Sequence, residues 1–445
     1  MKDIPEPKSD LAKLYRQQRN LIISQTPQLS TFVEKEADVL SRIAEIAPDS
    51  IAAKEYQRLM MLMREKDVLS DDSKKNAFAA SYRNAMQIAM PATAAYLNQQ
   101  NEMSGLTQDY SLTQIDLDTL REIDRRAYYD NDMKTFVSQI CAKFDEIPSA
   151  PDVQRYGQVF EIYAEAIVLA RLRDRNVVVR KIPEGKESSP DFECETEDGK
   201  TFFIEVKAFN IVDGTHRHKE MMLDALDTQV ELERQQRDGK KIAMAANEIA
   251  PYRKVGSDPG YDPRSLKMPI DKLRNKFLQA FKSSQFKNGP TFALAVADRL
   301  IIPGGPYSLA PYYYDDFQSG SCVSGIIWQA AYGHEGGAVM RMPEFEGKPG
   351  YEGVLNAPGL FVDEANQFPA SGLIVFYRET GARVAYGLAG PEIERSGWTS
   401  DDTEDVLRTV TDAWNDVGNT RFFELAETVE KVRLKKLGLQ HSDRK

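Results

Sequence analysis

The residues whose types and spacing can do chemistry lie in one stretch, 188–210, reading SSPDFECETEDGKTFFIEVKAFN. Pro190-Asp191 opens one strand and Glu205-Val206-Lys207 lies in the next. Side chains two apart on a strand share a face, so Phe203, Glu205 and Lys207 point one way and Ile204, Val206 and Ala208 the other. The hairpin loop decides where Asp191 falls. A two-residue loop at Asp198-Gly199 sets Asp191 opposite Val206, on the wrong face. A three-residue loop of Glu197, Asp198 and Gly199 sets it across from Glu205, and glycine at the third position suits the left-handed residue of such loops. In that register two carboxylates stand side by side with an ammonium two residues on. Directly opposed like charges destabilise a sheet unless something neutralises them, and a divalent cation does so. Hard oxygen ligands in this number suit Mg²⁺ or Mn²⁺, which keep several waters and take substrate phosphate oxygens.

Upstream, Glu161 and Glu165 are four residues apart and therefore on one face of a helix. Either could add a third carboxylate, and Glu165 is preferred because it leaves two turns to Leu172 before the first strand. Weaker candidates follow the third strand. His216 and His218 could touch phosphate or metal, and basic residues including Lys272, Arg274 and Lys276 could line a nucleic-acid groove, with positions 272 and 276 on one helical face. A salt-bridged solvent face explains these equally well. The Gly- and Tyr-rich stretch from about 303 to 369 contains neither GxxxxGK[ST] nor GxGxxG, which leaves a P-loop or dinucleotide site unsupported. It reads as an extended insertion.

These residues need elements to position them. Residues 1–148 read as a helical domain, with apolar residues at three-and-four spacing in five segments: 11–22, 30–47, 51–69, 73–100 and 117–147. Ser30, Ser70 and Asp116 stand where N-caps are wanted, and Pro91 should end or kink the fourth segment. The prolines of IPSAP, Ile147 to Pro151, mark a boundary. An α/β domain over 149–395 follows. It is expected to hold helices at Val153–Arg173, Lys219–Gln236 and Ile270–Phe281. Strands are expected at Asn176–Ile182, Asp191–Thr196, Thr201–Phe209, Thr291–Ala297, Val323–Gln329, Gly372–Tyr377 and Arg383–Leu388. Helices return over 396–445.

The 445 residues suffice for two or three domains. The net charge of -11 ordinarily discourages nucleic-acid binding. It is unevenly spread: Val153 to Leu300 holds 25 Lys/Arg against 23 Asp/Glu, leaving -13 on the flanks. Non-specific DNA affinity should therefore be weak and salt-dependent, with an activating protein partner or a second copy of the chain assisting. No run of about 18 apolar residues occurs, which argues against a membrane span. The three widely spaced cysteines and the absence of an apolar leader point to a cytoplasmic protein.

Helix with glutamate, strand, Pro-Asp, hairpin, Glu-x-Lys: Tyr156 to Phe209 resembles the PD-(D/E)xK, or restriction-endonuclease-like, nuclease superfamily. The resemblance rests on Pro190, Asp191, Glu205 and Lys207, with the two acids 14 residues apart. It implies an α/β core whose mixed sheet is flanked by helices, here with an all-α N-terminal domain and C-terminal helices. It further implies that Asp191, Glu205 and the Val206 carbonyl hold Mg²⁺ or Mn²⁺, that Glu161 or Glu165 assists, and that Lys207 orients or deprotonates the attacking water. The expected activity is phosphodiester hydrolysis, on DNA more than RNA, in restriction or anti-phage defence. The alternatives are an RNA-cleaving nuclease and an assembly protein that keeps the fold without turnover.

Overall fold

The computed structural model describes residues 8–25, 30–65, 71–102, 115–147, 153–183, 189–209, 218–245, 266–298, 309, 311–316, 320–341, 350–363, 368–379, 382–391 and 397–415. The chain divides into two compact units, Met1–Ala170 and Arg171–Lys445.

In the first unit the three-and-four spacing becomes helices α1 (Asp10–Gln25), α2 (Ser30–Ile46), α3 (Ile51–Arg64), α4 (Asp72–Ala89), α5 (Pro91–Glu102), α6 (Leu117–Arg126), α7 (Asn131–Asp145) and most of α8 (Val153–Asp174). The apolar stripes of α1 to α5 meet in a core that includes Leu11, Tyr15, Leu40, Leu59 and Met63. Asp116 caps α6 as expected, accepting from the Thr119 N–H at 3.2 Å. Asp71 caps α4, taking the N–H groups of Ser73 and Lys74, and Ser70 lies outside the described residues. Pro91 separates α4 from α5, because a proline has no N–H to continue the ladder and suits a first helical turn. The segment 117–147 is two helices and not one, since Asp130 accepts from the Met133 N–H at 3.0 Å and starts α7 afresh.

The second unit begins in the last turn of α8, at Arg171. Asn176 takes a left-handed φ of 58°, with Val177 N–H on the Leu172 carbonyl and Asn176 N–H on that of Arg173, both at 3.0 Å. This double bond pattern stops the helix and turns the chain into a strand. The order is then β1 (Val178–Lys181), β2 (Phe192–Glu195), β3 (Thr201–Ala208), α9 (His218–Arg237), α10 (Lys267–Ala280), β4 (Thr291–Val296), β5 (Tyr312–Asp316), β6 (Gly320–Ser324), α11 (Ile326–Tyr332), β7 (Ala338–Arg341), β8 (Gly350–Val354), β9 (Gly372–Glu379), β10 (Ala382–Ala389), α12 (Ser400–Val410) and β11 (Ala413–Asn415).

Among the described residues seven strands form one mixed sheet in the order β1-β2-β3-β4-β9-β10-β11. β3, β4 and β9 run parallel in its centre, and β1–β2–β3 and β9–β10 are antiparallel. Every residue of β4, TFALAV, is buried, as a strand covered on both faces requires. One face carries Ala293, Ala295, Leu373 and Val375 and packs against α10, Phe286 and α11. On the other, α12 crosses β10 so closely that a Cβ at Gly387 would lie 2.9 Å from Leu407. The chain thus combines a mixed α/β unit with a unit whose described elements are all helical.

Two further expectations need correction. Val323–Gln329 is not one strand: β6 ends at Ser324, Gly325 turns at φ 112°, and Ile326–Tyr332 is a helix with all seven residues buried. A short apolar run buried on every side carries no period, so Ile-Ile-Trp read as strand. Among the described residues, the stretch 303–369 holds two antiparallel strand pairs outside the seven-stranded sheet, β5–β6 and β7–β8, and that buried helix. Beyond α12, the C-terminal segment also adds β11, which pairs with β10 in parallel. No helix among the described residues is long and apolar enough to cross a membrane.

Candidate active site

The β2–β3 hairpin has the register that its loop glycine implied. Phe192 pairs with Ile204 and Glu195 with Thr201, the Thr196 N–H meets the Lys200 carbonyl at 2.9 Å, and Gly199 turns at φ 83°. The loop is therefore Glu197, Asp198 and Gly199, and the register continued by one position would set Asp191 across from Glu205. The ladder stops one residue short of it. Asp191 lies in a bend, with its N–H on the Ile204 carbonyl at 3.1 Å and its own carbonyl accepting from Ile182 at 2.8 Å.

That break sets the local chemistry. Phe203 and Phe209 donate their N–H groups to Pro290 and Val296, on the β4 side. By alternation the N–H and C=O of Val206 point the other way, past the last paired residue of β2. The Val206 N–H is taken by the Asp191 carboxylate, Oδ2, at 2.7 Å. Asp191 thus caps the open end of the hairpin, and the Val206 carbonyl lies along the same edge.

Glu205 is only 1% exposed, on the face shared with Lys207. Its register neighbour on β4 is Ala293 and that of Lys207 is Ala295, so small side chains leave room for both. Oε1 of Glu205 meets two donors: the Lys207 ammonium and the Gln285 amide nitrogen. Gln285 sits in a 3₁₀ turn, Ser283–Phe286, and its own Oε1 accepts from the Lys282 N–H at 2.7 Å. One amide group therefore spans the turn and the strand, and the bond to Lys282 fixes which end of it faces Glu205. Lys207 is 31% exposed, so the cation reaches solvent from a buried acid.

Sequence reasoning missed Gln285. It lies 80 residues from Glu205, and no spacing rule links a lone glutamine in SSQF to a strand that far away. Of the residues singled out, Asp191, Glu205, Val206 and Lys207 come together. Glu161 and Glu165 belong to the first unit, where Glu161 is exposed and Glu165 half-buried. Among the described residues no group of three or more His, Cys, Asp or Glu is spaced to hold a metal ion. His216 lies outside the described residues, and His218 opens α9. Arg274 is not a groove residue: it is mostly buried, paired with Asp363 at 2.5 Å and donating to the Pro358 carbonyl.

Lys272 and Lys276 both lie in α10. Lys276 stands over the Phe209 ring with its ammonium 5.2 Å from the centroid, and burial lowers its pKa to about 8. Phe209 continues the face of Glu205 and Lys207 two residues further on, and its ring meets Phe277 edge-on at 4.8 Å.

By donor chemistry the hairpin mouth suits a hard divalent cation: Asp191, Glu205 and the Val206 carbonyl, from the end of β2 and from β3, offer oxygen alone. Zinc-type ligation is not offered, since neither histidine nor cysteine is among them. No family model, curated protein or solved structure matches the chain.

Proposed function

We propose that the chain is a metal-dependent nuclease of the PD-(D/E)xK, restriction-endonuclease-like kind, hydrolysing phosphodiester bonds in DNA in a restriction or defence role. One observation carries the reading: a buried glutamate, bridged to a half-exposed lysine two residues along its strand, next to an aspartate at the point where the hairpin opens. Asp191, Glu205 and the Val206 carbonyl would hold Mg²⁺ or Mn²⁺. When bound, such an ion polarises a phosphoryl oxygen and lowers the pKa of a coordinated water. The chain's own residues do the rest. The Lys207 ammonium is anchored by Glu205 on a side chain that is 31% exposed, which suits it to orient a water for in-line attack. Gln285 holds the Glu205 carboxylate in one orientation, as outer partners of metal ligands do.

The test is cleavage of supercoiled plasmid, linear duplex, single-stranded DNA and RNA with Mg²⁺, Mn²⁺ or EDTA. Wild type is compared with Asp191→Ala and Lys207→Ala. Metal-dependent cleavage that disappears in both variants supports the nuclease, and the substrate cut decides between DNA and RNA.

A second reading, an assembly protein without turnover, is favoured by a separate observation. Asp191 replaces a missing strand carbonyl for Val206, and Glu205 is neutralised by Lys207, so each charge already serves the fold. Wild type inert on every substrate and unable to bind Mn²⁺ selects that reading.

A further inference from the structure

We infer that Lys276 and Lys207 together form a two-cation subsite for nucleic-acid phosphates, with Lys276 contacting the phosphate next to the one at the proposed hydrolytic site. The inference rests on the phosphodiester reading in its choice of ligand, and it assigns a role which the sequence spread over a whole basic groove.

Geometry carries it. Glu205, Lys207 and Phe209 occupy one face of β3 and its extension, each two residues and so roughly 6–7 Å beyond the last. The chain running from α10 to the 3₁₀ turn follows that face in reverse. Lys276 stands over Phe209, and Gln285 meets Glu205. Lys207 lies between these two contacts. The face therefore presents, in order, a glutamine-held acid, a half-exposed ammonium and a second ammonium resting on an aromatic ring.

The small residues Ala293 and Ala295 stand beside Glu205 and Lys207. Phe209 and Phe277 support the Lys276 end from below. An ammonium among such rings has lost much of its hydration, and the lowered pKa reports that loss. An anion brought to the same surface offsets the cost, and a phosphate bound there gains from the low local dielectric. The cation–π contact alone is worth about 0.5–2 kcal/mol, and it positions the ammonium over the ring.

The test is equilibrium binding in EDTA, so that no cleavage occurs, using the full chain and two labelled probes: a 20-base-pair duplex and a 20-nucleotide single strand. The dissociation constant is followed from about 50 to 300 mM KCl, a range in which each neutralised phosphate contributes to the slope of log K against log salt. Lys276→Met is expected to flatten that slope by about 0.9 on duplex or about 0.7 on single strand. Lys276→Arg is expected to keep it, with affinity within about twofold of wild type, because a guanidinium preserves the phosphate contact. A residue that only packs on Phe209 alters affinity without changing the slope. Lys276→Gln serves in place of Lys276→Met if the latter fails to fold by circular dichroism. Equal slopes for wild type and the neutral variant overturn the assignment, as does an Arg variant that falls as far as Met. So does a wild type that binds neither probe at about 50 mM KCl. Because no step of this test depends on cleavage, a protein that binds as expected yet cuts nothing keeps the subsite and loses the nuclease. One that cuts with an unchanged slope does the reverse.

Discussion

Each unit of the molecule buries a glutamate beside a cation, and the two do so differently. In the helical unit Glu36 is 2% exposed and Arg121 3%, paired at 2.9 Å, and the Tyr82 hydroxyl donates to the other carboxylate oxygen. Burial drives the Glu36 pKa up and that of Tyr82 well up, while Arg121 pulls against both. In the α/β unit Glu205 is as deeply buried, yet its cation is 31% exposed and stands at the mouth of a hairpin. In the first, acid, arginine and phenol join α2, α4 and α6 with both partners of the ion pair buried. In the second only the acid is buried. Burial of an acid is common to both, so burial by itself does not distinguish them; the exposure of the partner does.

The sharpest test of that distinction is Glu205→Gln. It is expected to lower cleavage by about 10³–10⁴-fold, or roughly 4–5 kcal/mol of transition-state stabilisation, if Glu205 holds the metal. Stability in urea should stay within about 1 kcal/mol of wild type, because Lys207 can turn to water when its acid is removed. A variant that loses its fold along with its activity would erase the contrast. Arg121→Met should behave in the opposite way: a loss of about 3–5 kcal/mol in urea unfolding, since it strands a buried carboxylate. Adding Glu36→Leu to it is expected to restore most of that loss, because an apolar pair of similar volume removes the uncompensated charge. A double variant as unstable as the single one would mean that the network does more than balance charge.

What the sequence disclosed follows from locality. The hairpin register was legible because a glycine at the third loop position and a strict alternation from Thr201 to Ala208 decide it within about twenty residues. Asp116 and Pro91 were legible for the same reason. Gln285 was not, because its contact with Glu205 depends on how α10 returns to β4. The cap at Asp130 was hidden inside a continuous apolar pattern. α11 was misread because burial on every side removes the period that separates helix from strand, and β11 has only three residues in which to show one. The proximity of Lys276 to Phe209 is likewise a tertiary fact.

A third buried acid extends the comparison. Asp124 is 1% exposed and takes its hydrogen bonds from the N–H groups of Ala92 and Thr93 and from the Thr93 hydroxyl, at 2.7–3.1 Å, so it caps α5 from α6. Burial raises its pKa to about 7. The sign follows: the folded state binds this proton more tightly than the unfolded chain, so its contribution is complete below about pH 4 and is lost as pH rises through 7. Relative to Asp124→Asn, wild type should therefore lose about 2–3 kcal/mol of unfolding free energy between pH 5 and pH 7.5. Parallel curves for the two proteins would show that the helix N-terminus holds this carboxylate charged throughout. Next in size is Gln285→Leu, expected to reduce cleavage by about 10–100-fold, as for outer partners of metal ligands. Gln285→Glu should be worse, since it sets a second acid against Glu205. If either variant cuts like wild type, Lys207 alone orients the carboxylate.

The smallest expected effect separates depth from connection. Asp118 extends the Glu36–Arg121 network to the surface, donated to by Arg121 at 2.7 Å and by Lys35 at 2.5 Å, and it is 56% exposed. Its ion pairs are screened by solvent and compete with the side-chain entropy of a free lysine. Asp118→Asn should therefore cost under about 1 kcal/mol in urea, and less in high salt, although it touches the same guanidinium as Glu36. A loss comparable to that of Arg121→Met would mean that Asp118 holds Arg121 in position for Glu36, so that the network is cooperative from its solvent end inward. A small loss assigns the stability to the buried pair, and it leaves exposure of the partner as the property by which the Glu205–Lys207 site differs.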